Sequence, residues 1–149
     1  MANYIVDIDG TIADTQHRQW TLEGKCQQKN WELFFNMAKD DKPMPHMQQL
    51  LQDLTAMGRT RIIYTTGRPE RLRLLTTNWL IEHGFPYPRH MYMRADGDRR
   101  PDHVIKLLML EEIRLNWPLI TMAFDDRNSV VEMWRMAGIP CAQTAPGDF

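Results

Sequence analysis

Cysteine, net charge and long apolar runs are all scarce in this chain, and each scarcity removes a class of protein. Only two cysteines, Cys26 and Cys141, occur in 149 residues, and they lack CxxC spacing. A disulfide framework is therefore excluded, and both thiols read as reduced packing or surface groups. No run of about 18 apolar residues is present and no basic-then-apolar leader opens the sequence, so neither a membrane span nor a secretory signal is expected and the reading is cytoplasmic. A net charge of -1 gives no global attraction to nucleic acid. Any polynucleotide contact must then come from local basic patches. Repeats, low-complexity tracts and Gly/Ser linkers are absent too, and 149 residues with 43% hydrophobic content suit one domain, 1–149, with a buried core.

What the chain does have is Val6-Asp7-Ile8-Asp9-Gly10-Thr11 at the end of a short apolar run. Side chains alternate along a strand, so the two carboxylates are expected on one side, with Gly10 turning the chain away. Clustered like charges disfavour each other's ionisation unless a cation or shared proton compensates. Mg²⁺ held by carboxylate oxygens is the ordinary remedy, and phosphoryl chemistry its ordinary use. A D-x-D pair by itself is also the pattern of solvated loop charge. Later segments tip the reading: Thr65-Thr66-Gly67-Arg68 follows the apolar run 61–64, Lys106 opens an amphipathic stretch, and Asp125-Asp126-Arg127 follows the run 119–124. Three strand-like runs thus bring Asp7, Thr66 and Asp126 to strand ends, where open α/β sheets place their ligands.

Strands are expected near 4–8, 60–65, 90–94, 119–124 and 141–144. Helical spacing runs from Met47 through Leu51 and Leu54 to a stop at Gly58. A second helix starts at Pro69 and buries Leu72, Leu75 and Trp79, and a third covers about 102–116. A fourth is capped by Asn128 or Ser129, with Glu132 at capping-box spacing and Gly138 at its end. Alternating strands and helices predict an α/β, three-layer Rossmann-like domain with a mostly parallel five-stranded sheet. Residues 13–46 are irregular and read as a small cap insertion. Trp20, Trp31, Phe34 and Phe35 within it read as packing onto the core, with base stacking as the alternative.

The ordered set Asp7-x-Asp9-Gly10-Thr11, Thr66-Gly67, Lys106 and Asp125-Asp126 resembles the haloacid dehalogenase-like phosphohydrolases. Asp41-Lys42-Pro43, Met93-Arg94-Ala95-x-Gly97-Asp98, Val130-Val131-Glu132-Met133-Trp134-Arg135 and Ala145-Pro146-Gly147-Asp148-Phe149 tighten it. With these strings nearly the whole chain is similar to the 3′-phosphatase domains of bacteriophage polynucleotide kinase 3′-phosphatases. The first group of motifs carries the reaction type; the VVEMWR and APGDF strings read as lying largely outside the chemistry.

The resemblance implies a first strand in the middle of the sheet and Mg²⁺-dependent removal of 3′-phosphate from polynucleotide ends, DNA or RNA. It makes Asp7 the nucleophile that becomes an aspartyl phosphate, and Asp9 the group that protonates the leaving oxygen and later activates water. Mg²⁺ would be held by Asp7, the backbone carbonyl of Asp9 and Asp126, with Asp125 supporting. Thr66 and Lys106 would face the transferring phosphoryl group. Arg68 and Arg18 would serve substrate phosphate or site architecture. Asp102 reads as a helix N-cap that orients Lys106, while Arg94, Arg99 and Arg100 read equally as a nucleic-acid contact or as solvated charge. No G-x-x-x-x-G-K-[ST] string occurs, so the kinase half of the resembling bifunctional proteins is absent. This leaves two readings open, a chain that works alone and one that works with a separate kinase or ligase, in a host cytoplasm if the chain is phage-encoded. A phosphatase of free nucleotides or other small phosphate esters is the rival reading. A noncatalytic binding module is a distant one, disfavoured by the intact Asp7 and Asp9.

Overall fold

The computed structural model describes residues 1–23 and 30–149; Cys26 lies outside the described residues. Five strands, Ala2–Asp7 (β1), Thr60–Pro69 (β4), Met91–Arg94 (β5), Met122–Asp125 (β6) and Cys141–Gln143 (β7), form one parallel sheet in the order β5-β4-β1-β6-β7. A two-residue antiparallel pair, Ala13–Asp14 (β2) with Lys42–Pro43 (β3), closes the irregular segment. That segment also holds a 3₁₀ turn, Gln16–Leu22, a short helix, Trp31–Asn36 (α1), and a second 3₁₀ turn, Met37–Asp40.

Period-two alternation along β1 sends consecutive residues into two cores. Val6 and Ile8 join Tyr64, Met47, Leu51, Trp79 and Leu80 on one side. Ile5 joins Ile63, Ala123, Ile105, Met109, Ile113, Val130 and Trp134 on the other. The helices Pro45–Thr55 (α2) and Arg73–Glu82 (α3) therefore cover one face, and Asp102–Asn116 (α4) and Asn128–Met136 (α5) the other. Buried on both faces, β1 occupies the centre of the sheet, as expected.

Three local expectations change. The strand carrying Thr66 runs on to Pro69, because β4 keeps pairing with β5 beyond an irregularity between Thr66 and Pro69. Pro69 then precedes a 3₁₀ turn, Glu70–Leu72, instead of opening the helix. At α5 no side chain caps the helix start. The Asn128 N–H donates to Gly147 O at 2.9 Å, and Asn128 Oδ1 is taken by Gln143, so the chain's last segment replaces the expected capping box.

Candidate active site

The carboxyl ends of β1, β4 and β6 meet in one place. Asp7 is the last residue of β1 and Asp125 the last of β6, and both are buried. The tight turn after them has a backbone cause: Ile8 O accepts from the N–H groups of Thr11, Ile12 and Ala13, and Gly10 takes a φ of +85°. A Cβ at Gly10 would lie 2.8 Å from Asp126 Cγ, so glycine is required there for close approach as well as for backbone hand.

Lys106, in the second turn of α4, reaches into this carboxylate group. Its Nζ donates to Asp7 Oδ1 at 2.6 Å and to Asp125 Oδ2 at 2.7 Å, while Thr11 Oγ1 donates to Asp7 Oδ2 at 2.9 Å. Burial alone would lower the lysine's affinity for its proton, but Asp125 and Asp7 outweigh it and hold the ammonium charged. Asp7 is pushed well up from its ordinary value by burial and then by Asp125, against the pull of Lys106. Burial and Asp125 likewise raise Asp126 to about 6.

Asp7, Asp125 and Asp126 each offer an oxygen within 4.8 Å of the others. Three carboxylates against one ammonium leave excess negative charge, and hard oxygen donors in that arrangement fit a divalent cation such as Mg²⁺. The two acids of the pair are not equivalent. Asp125 spends Oδ2 on Lys106 and Trp134 Nε1, and Oδ1 on the N–H groups of Asp126 and Arg127. No side chain among the described residues donates to the Asp126 carboxylate, which takes only a bond from its own backbone N–H, so it is the freer ligand.

Asp9 departs from the expected geometry. Alternation ends with the strand at Asp7, and the Asp9 carboxylate turns away from the acidic cluster toward two arginines. Arg18 Nη2 donates to its Oδ1 at 2.8 Å, and Arg68 contacts it through Nη2 at 2.6 Å and Nε at 3.0 Å. Burial would raise Asp9, but Arg68 and Arg18 outweigh it and hold the carboxyl down at about 2. Both guanidinium groups are fully buried, and every nitrogen in them is bonded within the protein: Arg18 also to Asp41 and Phe34 O, Arg68 also to Asp41 and Thr76.

Thr66 lies one residue past the Asp7–Thr65 register position and is buried, its Oγ1 accepting from the Arg68 N–H at 3.1 Å. Asp102 is corrected from the sequence reading. It is the first residue of α4 after Pro101, makes no cap bond, and pairs with Arg94 and with Arg127 at 2.9 Å, while Lys106 bonds to other carboxylates. Arg94 is likewise turned inward, donating to Gly67 O, Asp98 O and Arg100 O; Arg100 pairs with Asp98, and Arg99 is the exposed, unpaired member of the three among the described residues. Of the cap aromatics, Phe34 packs under the Arg18 guanidinium at 4.0 Å, whereas Trp20 and Trp31 keep 59% and 45% exposure.

Sequence reasoning passed over three contributors. Asp41, in the Asp41-Lys42-Pro43 string, bonds to Arg18 and Arg68, which no local pattern signals. Thr11, at the end of the D-x-D-G-T string, is a hydrogen-bond partner of Asp7. The APGDF string was placed outside the chemistry, yet a Cβ at Gly147 would fall 2.6 Å from the Asp126 carbonyl carbon, and the Phe149 ring sits 4.7 Å from the Arg127 guanidinium carbon. The last segment is thus strapped across the Asp125-Asp126-Arg127 loop.

A parallel sheet whose strand ends carry a buried aspartate, a lysine bonded to it and a second acidic pair fits the haloacid dehalogenase-like phosphatases, the class to which the family match assigns the chain. Comparison with known proteins narrows the class. The chain belongs to the polynucleotide kinase PNKP phosphatase domain family, which matches residues 1–149. A chain in the solved Pnkp1/Rnl/Hen1 complex, described in a second structure as an RNA repair complex, is 30% identical with a TM-score of 0.78, covering 100% of this chain and 47% of that one. A "Putative nucleotidase" of Bacillus cereus is 34% identical over 90 residues, 60% of this chain and 42% of the relative. A "Putative bifunctional polynucleotide kinase/RNA ligase" of Autographa californica nuclear polyhedrosis virus is 25% identical over 146 residues, 97% of this chain and 19% of the relative. The chain therefore spans less than half the length of each of these relatives. No helix among the described residues is long and apolar enough to cross a membrane.

Proposed function

We propose that the chain is a Mg²⁺-dependent phosphomonoesterase that removes 3′-phosphate from polynucleotide ends through an aspartyl phosphate on Asp7. The observation that supports it best is the buried Asp7 carboxylate, held between Lys106 and Thr11 beside Asp126, in a chain matched from 1 to 149 by a family of polynucleotide kinase phosphatase domains.

In this reading Asp7 attacks phosphorus, the bond from phosphorus to the 3′ oxygen breaks, and Asp9 gives its proton to that oxygen. Asp9 then takes a proton from the water that attacks the aspartyl phosphate, releasing inorganic phosphate and restoring Asp7. Arg18 and Arg68 hold the resting Asp9 as carboxylate, so the proton it passes to the leaving oxygen is taken up from water or from the phosphate monoanion as substrate binds. The carboxylate is the form that receives the water proton in the second step. The remaining proton of the Lys106 ammonium and the Thr66 segment face the phosphoryl oxygens, where positive charge and N–H dipoles offset developing charge. Mg²⁺, held by Asp7, the Asp9 carbonyl and Asp126, supplies further charge compensation when bound. Asp125 and Asp102 serve as supports, the one on Lys106 and the other on Arg94 and Arg127.

The likeness to an RNA repair complex and to a kinase/RNA ligase favours nucleic-acid repair alongside separate kinase and ligase activities. The likeness to a nucleotidase keeps free nucleotides as the second reading. A turnover assay on a 3′-phosphorylated oligonucleotide, with and without Mg²⁺, tests the proposal. Phosphate release that needs Mg²⁺ and vanishes in Asp7→Asn is expected; release by Asp7→Asn at the unsubstituted rate would overturn it.

A further inference from the structure

Asp41 is buried at the boundary between the irregular segment and β3, and its carboxylate meets the side chains of His17, Arg18 and Arg68. Its Oδ1 accepts from Arg18 Nε at 2.8 Å and contacts His17 Nε2 at 2.7 Å; its Oδ2 accepts from Arg18 Nη2 at 2.7 Å and Arg68 Nη2 at 3.1 Å. Its backbone is fixed as well, since Trp79 Nε1 donates to Asp41 O at 2.9 Å from within the core.

Arg18 Nη2 and Arg68 Nη2 each bridge the carboxylates of Asp9 and Asp41. Two cations and two anions thus alternate in a closed, charge-balanced group. Without Asp41 two buried guanidinium groups would converge on the single Asp9 carboxylate with one uncompensated positive charge between them, and buried charge of that kind forces rearrangement or hydration. The nitrogens are used up within the protein, so these arginines have little to offer a substrate directly. Their effect on the reaction passes through Asp9.

We infer that Asp41 is a positioning residue for Asp9, acting through Arg18 and Arg68, and that this group sets where the proton is delivered to the leaving oxygen. The inference rests on the reading of Asp9 as the proton donor. A displaced donor matters most for a poor leaving group, because a 3′ alkoxide needs the proton in the transition state while a dinitrophenolate does not.

The test compares Asp41→Asn with the unsubstituted chain in Mg²⁺, measuring single-turnover release of the leaving group from a 3′-phosphorylated oligonucleotide and from 2,4-dinitrophenyl phosphate. The oligonucleotide rate is expected to fall by about 10²-fold or more, the dinitrophenyl rate by less than about 10-fold, with inhibition by inorganic phosphate changed less than about threefold. Equal losses on both substrates, or phosphate inhibition weakened as much as the rate, would overturn the inference by assigning the group to general structure or to phosphate binding. Should Asp41→Asn not fold, Asp41→Glu keeps the charge while shifting the carboxylate by one methylene. The same split between substrates is expected for it, and a uniform loss counts against the inference. Asp9→Asn run in parallel separates the two claims: absence of the split there removes the proton-donor reading, whereas its presence there and absence in the Asp41 variants removes only the positioning role.

Discussion

Lys106 places its ammonium 2.6 Å from Asp7 Oδ1, joining the fifth residue of α4 to the last residue of β1. The lysine is 2% exposed and is the positive charge bonded to Asp7 and Asp125 at once. Removing it leaves two buried carboxylates without a cation. Lys106→Met should reduce phosphatase turnover by roughly 10²-fold or more and destabilise the metal-free fold by about 3–5 kcal/mol, measured by denaturant unfolding. Lys106→Arg should not restore turnover, because a planar fork cannot occupy the position of a compact ammonium between two carboxylates.

Gly10→Ala meets two penalties, a left-handed backbone and an overlap with the Asp126 carboxylate. The expected outcome is a folded but weaker protein whose Mg²⁺ titration shifts to higher concentration, because Asp126 must move to make room. Asp126→Asn should raise the Mg²⁺ requirement further still. An unchanged Mg²⁺ titration in Asp126→Asn would transfer the ligand role to Asp125.

Stability should depend on pH in a direction opposite to that of most carboxylates. Asp126 titrates at about 6 in the folded chain against an ordinary 3.8, so the folded state binds protons more tightly than the unfolded state between those values. Stability from this group therefore falls as pH rises from about 4 to 6, and the metal-free protein should melt higher at pH 5 than at pH 7. Added Mg²⁺ should raise the melting temperature more at pH 7 than at pH 5. Asp9 works the other way, lowered to about 2, so its contribution is lost only as pH falls below about 4. Thermal melts across that range with and without Mg²⁺ check both signs.

Gly147→Ala places a methyl group against the Asp126 carbonyl and Arg127 Cα. It should loosen the strap over the acidic loop and weaken Mg²⁺-dependent turnover by roughly tenfold, while leaving the far-UV spectrum unchanged. Phe149→Ala removes the ring from Arg127 alone and should have a smaller effect.

Much of this architecture could be read from residue order. The helix expected over 102–116 is α4, and β1 takes the central position that the family resemblance implied. What could not be read was the direction of individual charged side chains. Asp9 seemed bound to share a face with Asp7, but alternation lasts only as long as the strand, and its partner Arg68 lies 59 residues away. Arg94 and Asp102 looked like a surface cation and a cap, yet each found the other. Gly147 carried no local signal, since the close approach that demands glycine is made by a loop about twenty residues earlier in the chain.

Matched oligonucleotides carrying a 3′- or a 5′-phosphate, with the corresponding mononucleotides beside them, identify the end that is dephosphorylated. Steady-state kcat/KM in Mg²⁺ should favour the 3′-phosphorylated oligonucleotide over the 5′ isomer and over free nucleotides by roughly 10²-fold, the scale of a few site-specific contacts. Equal kcat/KM for both ends and for the mononucleotides would contradict the polynucleotide assignment and leave a general phosphatase.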